Sequence, residues 1–440
     1  MRISRSATMR KIRRRKVRRR ASTHNQIKPD KTEQIPSMIR YQTARQIILE
    51  KIGKRGAALD VESVRLADAL GRVLAEEILA DRDYPPFDRS TRDGFAVQAA
   101  EAAAGAELVC VGEIKAGDIP VRREAAGTCV QIMTGAAVPV GADAVVMIEH
   151  TKRNGERVTF ERAARVGQNI VARGSEARES VTVLPAGTRM GYAEIAVAAQ
   201  VGTTSLRCFR RPRVAILSTG DEILSAELKP GRFQIRNSNA YSLAAQVKLA
   251  GGEAVLLGNA ADREEDLREK IARGLREDLL VLSGGVSMGK YDLVERVLHE
   301  MGAEFFFDAV AIRPGKPAVF AICEGKPVFG LPGNPISTMV TFELFVTLAM
   351  DLLSGGPGRA LPLVQAILGE DLQEKAGMTH FLPARVEWRD ETALVRALAW
   401  QGSGDIAAMA NANCFLVVDA ETERVAAGTN VRILLRKDVL

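Results

Sequence analysis

Leu279-Leu280-Val281-Leu282-Ser283-Gly284-Gly285-Val286-Ser287-Met288-Gly289 passes directly from an apolar run into a glycine-rich turn. Its first four residues are an apolar, strand-like run, and the stretch from Asp292 to Met301 has helical spacing, so the glycines fall in a strand-to-helix loop. Gly284, Gly285 and Gly289 let backbone approach a ligand with no Cβ in the way. The helix N-terminus that follows offers unpaired N–H groups and the positive end of its dipole. Such a loop cradles an anion, and phosphate is its natural guest. The spacing is neither G-x-G-x-x-G nor the Walker A pattern, so neither a dinucleotide nor the usual ATP grip follows. Taken alone, the loop is equally a plain tight turn.

Two further stiff loops lie downstream. Ile312-Arg313-Pro314-Gly315-Lys316-Pro317 ends the strand-like run Phe305 to Ile312, while Gly330-Leu331-Pro332-Gly333-Asn334-Pro335 follows the run Pro327 to Phe329 and precedes a long apolar helix. In an open parallel sheet, loops at strand ends gather at the carboxyl edge, where ligands bind. Arg313 and Lys316 are therefore expected to face the anion. Strands expected at 214–217, 254–257, 279–282 and 304–311 alternate with helices at 240–250, 262–276, 292–301 and 336–353. That alternation predicts a doubly wound α/β domain over 213–355.

The chain has 440 residues, too many for one ordinary core. Helical spacing is read from Tyr41 to Gly53, on Ala44, Ile47, Ile48 and Ile52, and again from Leu66 to Leu79. Residues from about 80 to 173 carry short valine-containing runs broken by glycine, at Glu107 to Gly112, Thr128 to Met133 and Asp143 to Glu149, which predicts a small β module. Arg210 to Arg213 and Ser354-Gly355-Gly356-Pro357-Gly358 read as linkers, leaving a C-terminal β domain over 359–440.

Charge needs dividing before it is used. Residues 1–37 hold thirteen Lys or Arg and two acids, a net of +11 against +7 for the whole chain, so the remainder carries −4. The basic balance is a property of one segment, and the body gives no ground for nucleic-acid binding. That segment lacks an apolar h-region, so it is not a secretory signal. It reads as a disordered basic tail, with a weak nucleic-acid tether or a start placed too far upstream as the other readings. Cys110, Cys129, Cys208, Cys323 and Cys414 are scattered and odd in number, which fits free thiols in a reducing, cytoplasmic setting. Four scattered His make a zinc site unexpected. No apolar run is read as reaching membrane-span length, so no membrane partner is expected.

Further motifs stand in fixed order around these loops: Pro85-Pro86-Phe87-Asp88-Arg89-Ser90-Thr91-Arg92-Asp93-Gly94-Phe95-Ala96-Val97, Ile132-Met133-Thr134-Gly135-Ala136, Val214 to Glu222 ending in Ser218-Thr219-Gly220-Asp221-Glu222, and Gln401-Gly402-Ser403-Gly404-Asp405-Ile406 with Asn413-Cys414-Phe415. With the three glycine loops, this series resembles the molybdopterin molybdenumtransferases from about Met38 to the end. That family is called MoeA in bacteria and is represented in animals by the E domain of gephyrin. The resemblance implies a multidomain α/β protein: a helical and β dimerisation region over 38–209 with the β module inserted at about 80–173, a molybdopterin-binding α/β domain, and a small C-terminal β domain. It implies molybdenum cofactor biosynthesis, in which molybdate is inserted into adenylylated molybdopterin and AMP is released. It further implies Mg²⁺, a homodimer with shared active sites, and the molybdopterin adenylyltransferase as a candidate partner.

Both substrates are anions, so the site needs N–H groups and cations for oxyanion charge and carboxylates to place Mg²⁺ on the diphosphate. Carried over residue by residue, the catalytic candidates are Asp88, Asp93, Thr134, Glu222, Asp292 and Lys316, with Glu222 and Asp292 as metal ligands. The substrate-binding candidates are Ser218, Thr219, Gly220, Asn237, Ser283, Gly284, Gly285, Ser287, Gly289, Arg313, Pro317, Gly333, Asn334, Pro335, Ser337 and Ser403. Each acid also has a bland reading: Asp221 and Glu222 as helix caps, Asp292 as a charge on a helix dipole, Asp88 and Asp93 as turn formers. Three positions depart from the family pattern. Asn237 stands where an acid is usual, Arg89 where Asn is usual, and Pro383 where Arg is usual. Two other classes fit parts of the chain. A molybdopterin adenylyltransferase-like enzyme shares the glycine loop without the 85–97 motif or the C-terminal module, and a gephyrin-like scaffold keeps the fold without the chemistry.

Overall fold

The computed structural model describes residues 38–53, 59–119, 125–285, 293–436 and 438. The basic tail and the candidates Ser287, Gly289 and Asp292 lie outside the described residues. Ten elements build the α/β domain in chain order: β1 (Arg213–Thr219), α1 (Ser238–Leu249), β2 (Glu253–Ala260), α2 (Glu264–Gly274), β3 (Leu279–Ser283), α3 (Leu293–Glu300), β4 (Glu304–Phe307), β5 (Val319–Cys323), β6 (Lys326–Leu331) and α4 (Pro335–Leu353). The sheet order is β2-β1-β3-β6-β5-β4, with β1, β2, β3 and β6 parallel and β5 antiparallel to both its neighbours. All five residues of β3 are buried because helices cover both faces, which is why it reads as a continuous apolar run.

One face packs Val281, Phe320 and Phe329 against α1 and α4, with the Phe320 and Phe329 rings stacked at 4.9 Å; the other packs Leu280 and Leu282 against α2 and α3. Each fully buried side chain of this kind contributes roughly 1.5–3 kcal/mol. The first helix, Tyr41–Ile48, continues as a wider turn to Gly53, and its Ala44, Ile48 and Ile52 stripe joins the α1 and α4 face. Read from sequence as the start of the N-terminal region, this helix buries its apolar stripe on the α/β sheet.

Two expectations fail. Leu66 to Leu79 is not a helix but a single tight turn at Leu66–Asp68 followed by extended chain. Gly71 sits at φ +76°, and Val73 and Leu74 form bridges to Arg189 and Cys208, so tertiary pairing overrides a chance helical spacing. The absence of an apolar run of membrane-span length is also corrected. α4 has 19 residues and is apolar enough, yet 78% of it is buried inside the protein, as expected of a core helix. The expected strand at 304–311 ends at Phe307, and the strand Val319–Cys323 was not foreseen.

The β module forms a six-stranded sheet of 94–97, 107–114, 128–132, 144–147, 151–154 and 157–160, with Phe95, Val158 and Phe160 in its core. It is set into a smaller body in which Val61–Arg65 pairs with Ser205–Phe209 and Tyr192–Gln200 is helical. At the C-terminal end, Thr379–Arg389 pairs with both Thr392–Ala397 and Cys414–Val418, which closes five strands into a small barrel around Leu368, Val395 and Leu416. Thr379–Arg389 has one more partner, Ile312–Arg313, in the register Ile312↔Thr379 and Arg313↔His380. All five cysteines are buried and none forms a disulfide; burial pushes the Cys414 thiol up to about 12.

Candidate functional site

The strand register aligns the carboxyl ends of three parallel strands: Ser218 pairs with Ser283, and Ser283 with Leu331. The chain turns to α1 and β2 on one side of β1 and to β3 on the other, so the sheet changes winding direction here, where open α/β sheets bind ligands. A cleft of about 710 Å³ opens at this edge. Of the sequence candidates, Ser218, Thr219, Gly220, Glu222, Asn237, Ser283, Gly284, Gly285, Pro317, Gly333, Asn334 and Pro335 line it.

Gly284 and Gly285 are required by geometry. They sit at φ +91° and +64°, and a Cβ would lie 2.8 Å from the Thr219 carbonyl oxygen at the first and 2.6 Å from Thr219 Oγ1 at the second. Backbone therefore packs directly on β1. Thr219 Oγ1 and Asn239 Oδ1 are buried and without hydrogen-bond partners among the described residues. At the third loop, the Asn334 amide does not cap α4 but donates to Ser403 Oγ at 2.9 Å, tying the C-terminal domain to the cleft rim beside Gly404 and Ile406. Ser337 is buried behind that rim, its carbonyl accepting from Thr341 Oγ1, and does not line the cleft.

Asn237 has a structural explanation. It is the N-cap of α1, accepting from the Ala240 N–H at 3.0 Å, and its amide donates to Ser218 Oγ at 2.9 Å. Glu222 does not cap a helix, since Ile223–Leu224 that follows is a short strand beside Ile235–Arg236. Its carboxylate folds back over Gly220 on the cleft wall, exposed and in no ion pair among the described residues. Among the lining residues that sequence reasoning missed, two carry polar side chains of consequence. Asp262, on the loop after β2, presents a carboxylate with no ion pair among the described residues, while its N–H donates to Asp221. Asn239 bridges two of the loops. Both are polar residues in ordinary loop and cap positions, and nothing in their spacing marks them.

The remaining candidates are placed differently. Arg313 is exposed and Lys316 half-buried; neither lines the cleft, although Lys316 directly precedes Pro317, which does. The strand before them leaves the sheet at Phe307 and joins the C-terminal barrel, which displaces Arg313 from the expected sheet edge. Asp93 and Thr134 meet in the β module, and Asp88 lies on the same module. Thr134 donates to Asp93 Oδ1 from its N–H at 2.6 Å and its hydroxyl at 2.8 Å, bonds that hold the Asp93 carboxyl below its ordinary range. Asp88 accepts from the Arg173 N–H at 2.8 Å. Arg89 pairs with Glu176, and Pro383 is buried in a barrel strand. Among the described residues, the side-chain hydrogen bonds of Asp88, Asp93 and Thr134 stay within the module and its immediate flank. Among the described residues, no three His, Cys, Asp or Glu side chains converge as a metal cage.

Comparison with known proteins agrees with this layout. Residues 39–202 match the MoeA N-terminal region (domains I and II), 215–351 a probable molybdopterin-binding domain, and 365–435 the MoeA C-terminal region (domain IV). The molybdopterin molybdenumtransferase of Bacillus subtilis is 34% identical over 393 residues, covering 86% of this chain and 90% of that protein. Its counterpart from a Nostoc species is 38% identical over 320 residues, 70% of this chain and 73% of that one. A crystal structure of the Pyrococcus horikoshii molybdopterin biosynthesis moeA protein superposes with a TM-score of 0.75 at 28% identity, covering 91% of this chain and all of the other. With all three family regions matched in order and relatives above 30% identical over most of its length, the chain belongs to the MoeA family of molybdopterin molybdenumtransferases.

Proposed function

We propose that this protein is a molybdopterin molybdenumtransferase acting in the cytoplasm, which inserts molybdate into adenylylated molybdopterin and releases AMP, the substrate being supplied by an adenylyltransferase. The observation that carries this reading is the alignment of the Ser218, Ser283 and Leu331 strand ends beneath a cleft lined by Gly284, Gly285 and Gly333, in a chain of this family. Backbone N–H groups of these turns and the start of α4 grip phosphate oxygens, and positive φ at Gly284 and Gly285 keeps side chains out of the way. Lys316 and Arg313, free of ion pairs among the described residues, supply cationic charge from the neighbouring loop.

Mg²⁺ fits the residues present. It commonly takes one or two carboxylates plus substrate phosphates, keeping several waters, so a full protein cage is not needed. Glu222 and Asp262 supply two carboxylates on one wall with no ion pair among the described residues, and Asp292 is the further ligand that the resemblance implies. Bound there, the ion would neutralise charge on the diphosphate. Asp88, Asp93 and Thr134 complete the site from the β module of a second copy. They present a polar surface flanked by the exposed apolar side chains of Phe87 and Ile148.

The test is AMP release by the purified protein from adenylylated molybdopterin, followed with and without molybdate and with Mg²⁺ chelated. Release that requires both molybdate and Mg²⁺ is expected. Molybdenum-free product under all conditions would overturn the reading.

A further inference from the structure

We infer that Asn239 is a positioning residue of this reaction: its side-chain amide sets the spacing between the two turns that grip the substrate's phosphates. This rests on the function proposed above and names the part of the cleft that fixes its width.

Asn239 is the second residue of α1, yet its side chain does nothing for that helix. The cap is Asn237, which already satisfies the Ala240 N–H. Instead, Asn239 Nδ2 donates to Ser283 Oγ at 2.9 Å, at the end of β3, and to the Gly333 carbonyl at 2.8 Å, in the turn after β6. Thr338 Oγ1, on α4, lies within 3.4 Å of the same nitrogen. An amide carries two protons, so the first two contacts use it fully. Side-chain hydrogen bonds that join separate loops across a cleft fix their separation, and displacements of about 1 Å in such sites reduce rates strongly. Among the described residues the two turns are also joined by a backbone bond, from the Gly284 N–H to the Leu331 carbonyl at 3.1 Å, and a Cβ added at Gly333 would lie 3.6 Å from Gly284 Cα.

The acceptor end of the same amide is the second clue. Asn239 Oδ1 is buried with no partner among the described residues, whereas both amide protons are taken, so the donors are what the geometry of the two turns uses. Aspartate is therefore the discriminating replacement, having the same shape and cap-compatible chemistry but no proton to give. Its carboxylate would face the Gly333 carbonyl oxygen, and repulsion would push the turn after β6 away from β3.

Asn239→Asp and Asn239→Ala are each compared with the parent by amide hydrogen exchange and by the kinetics of AMP release. Exchange at Gly284 and Asn334 is expected to rise about five- to tenfold, the scale of one lost net hydrogen bond. The α1 amides beyond its first turn and those of β1 should stay unchanged. KM should rise by a similar factor with kcat altered less, and a double substitution with Ser283→Ala should cost less than the sum of the singles. Unchanged exchange at both turns in both variants, or a uniform rise across the α/β domain, would overturn the assignment. If the parent protein releases no AMP, the functional proposal fails while the exchange result still decides the role of Asn239.

Discussion

Asn237 shows at the scale of one residue how a departure from a family pattern is absorbed. Asparagine and aspartate are about equally good N-caps, and an acid at a helix N-terminus also meets the dipole favourably. Asn237→Asp should therefore leave the thermal midpoint near the parent value, with Ser218 Oγ turning to donate to the new carboxylate. Asn237→Ala should cost about 1 kcal/mol, the usual price of a lost cap, in urea unfolding. Equal destabilisation by both would show that the buried contact with Ser218, and not capping, is what the side chain supplies. At Asp93 the pKa displacement has a definite sign. The Thr134 N–H and hydroxyl hold its charged form, so the contribution of that turn is present above the ordinary carboxylate pKa and is lost as pH falls through the lowered one.

Among elements, α4 carries the most. Near its end, Asp351 is buried, and its carboxylate collects Arg189 Nη2 at 2.6 Å, Arg359 Nε at 3.3 Å and the N–H groups of Gly358 and Arg359. Burial alone would raise its pKa. The Arg359 N–H and the two guanidinium groups outweigh that and hold it below the ordinary range. Arg189 also donates to the Gly71 carbonyl, so one carboxylate joins the N-terminal body, the core helix and the linker to the barrel. Asp351→Ala should cost about 1–3 kcal/mol, because the half-buried Arg189 guanidinium and the Gly358 and Arg359 N–H groups lose their acceptor. With the folded pKa lowered, the parent's stability should decline on acidification below about pH 4 more steeply than that of Asp351→Asn. Parallel acid profiles for the two would remove Asp351 from this role. This junction was invisible in the sequence, since Arg189 and Arg359 are separated from Asp351 by no recurring spacing. β1 and β3 were legible because a strand buried on both faces leaves an uninterrupted apolar run, whereas β5, equally buried, lies just beyond a Pro-Gly-Lys-Pro loop and was missed. Leu66 to Leu79 misled because apolar spacing over so short a stretch does not distinguish a helix from extended chain whose pairing partners lie more than a hundred residues away. The glycine loops of the cleft were legible from backbone need alone, whereas Asn239 and Asp262 act through where their helix and loop happen to end.

For the whole molecule, the cleft and the module that carries Asp88, Asp93 and Thr134 are separate within one chain, and a symmetric pair of chains would contain two composite sites. Mixing Asp88→Ala with Lys316→Ala chains should restore activity, up to about one quarter of the parent level if chains associate randomly and each intact site works alone. Differentially tagged chains purified as a mixed dimer provide the measurement. Mixed dimers as inactive as either parent would mean that the site is complete within one chain or that these two residues do not serve it.

The pairing of Ile312–Arg313 with Thr379–His380 has a bearing on how such proteins can be taken apart. Residues 213–355 have a complete sheet with both faces covered and look like a portable unit. Yet the peptide leading into Lys316 and Pro317 is hydrogen-bonded into the neighbouring barrel, so the seam between the two domains runs through the loop proposed to carry the cationic charge and not beside it. A chimera joined at the Ser354–Gly358 linker would inherit one relative's sheet and another's anchorage for the cationic loop. Its two halves would each fold, and the misfit would appear only as a misaimed lysine.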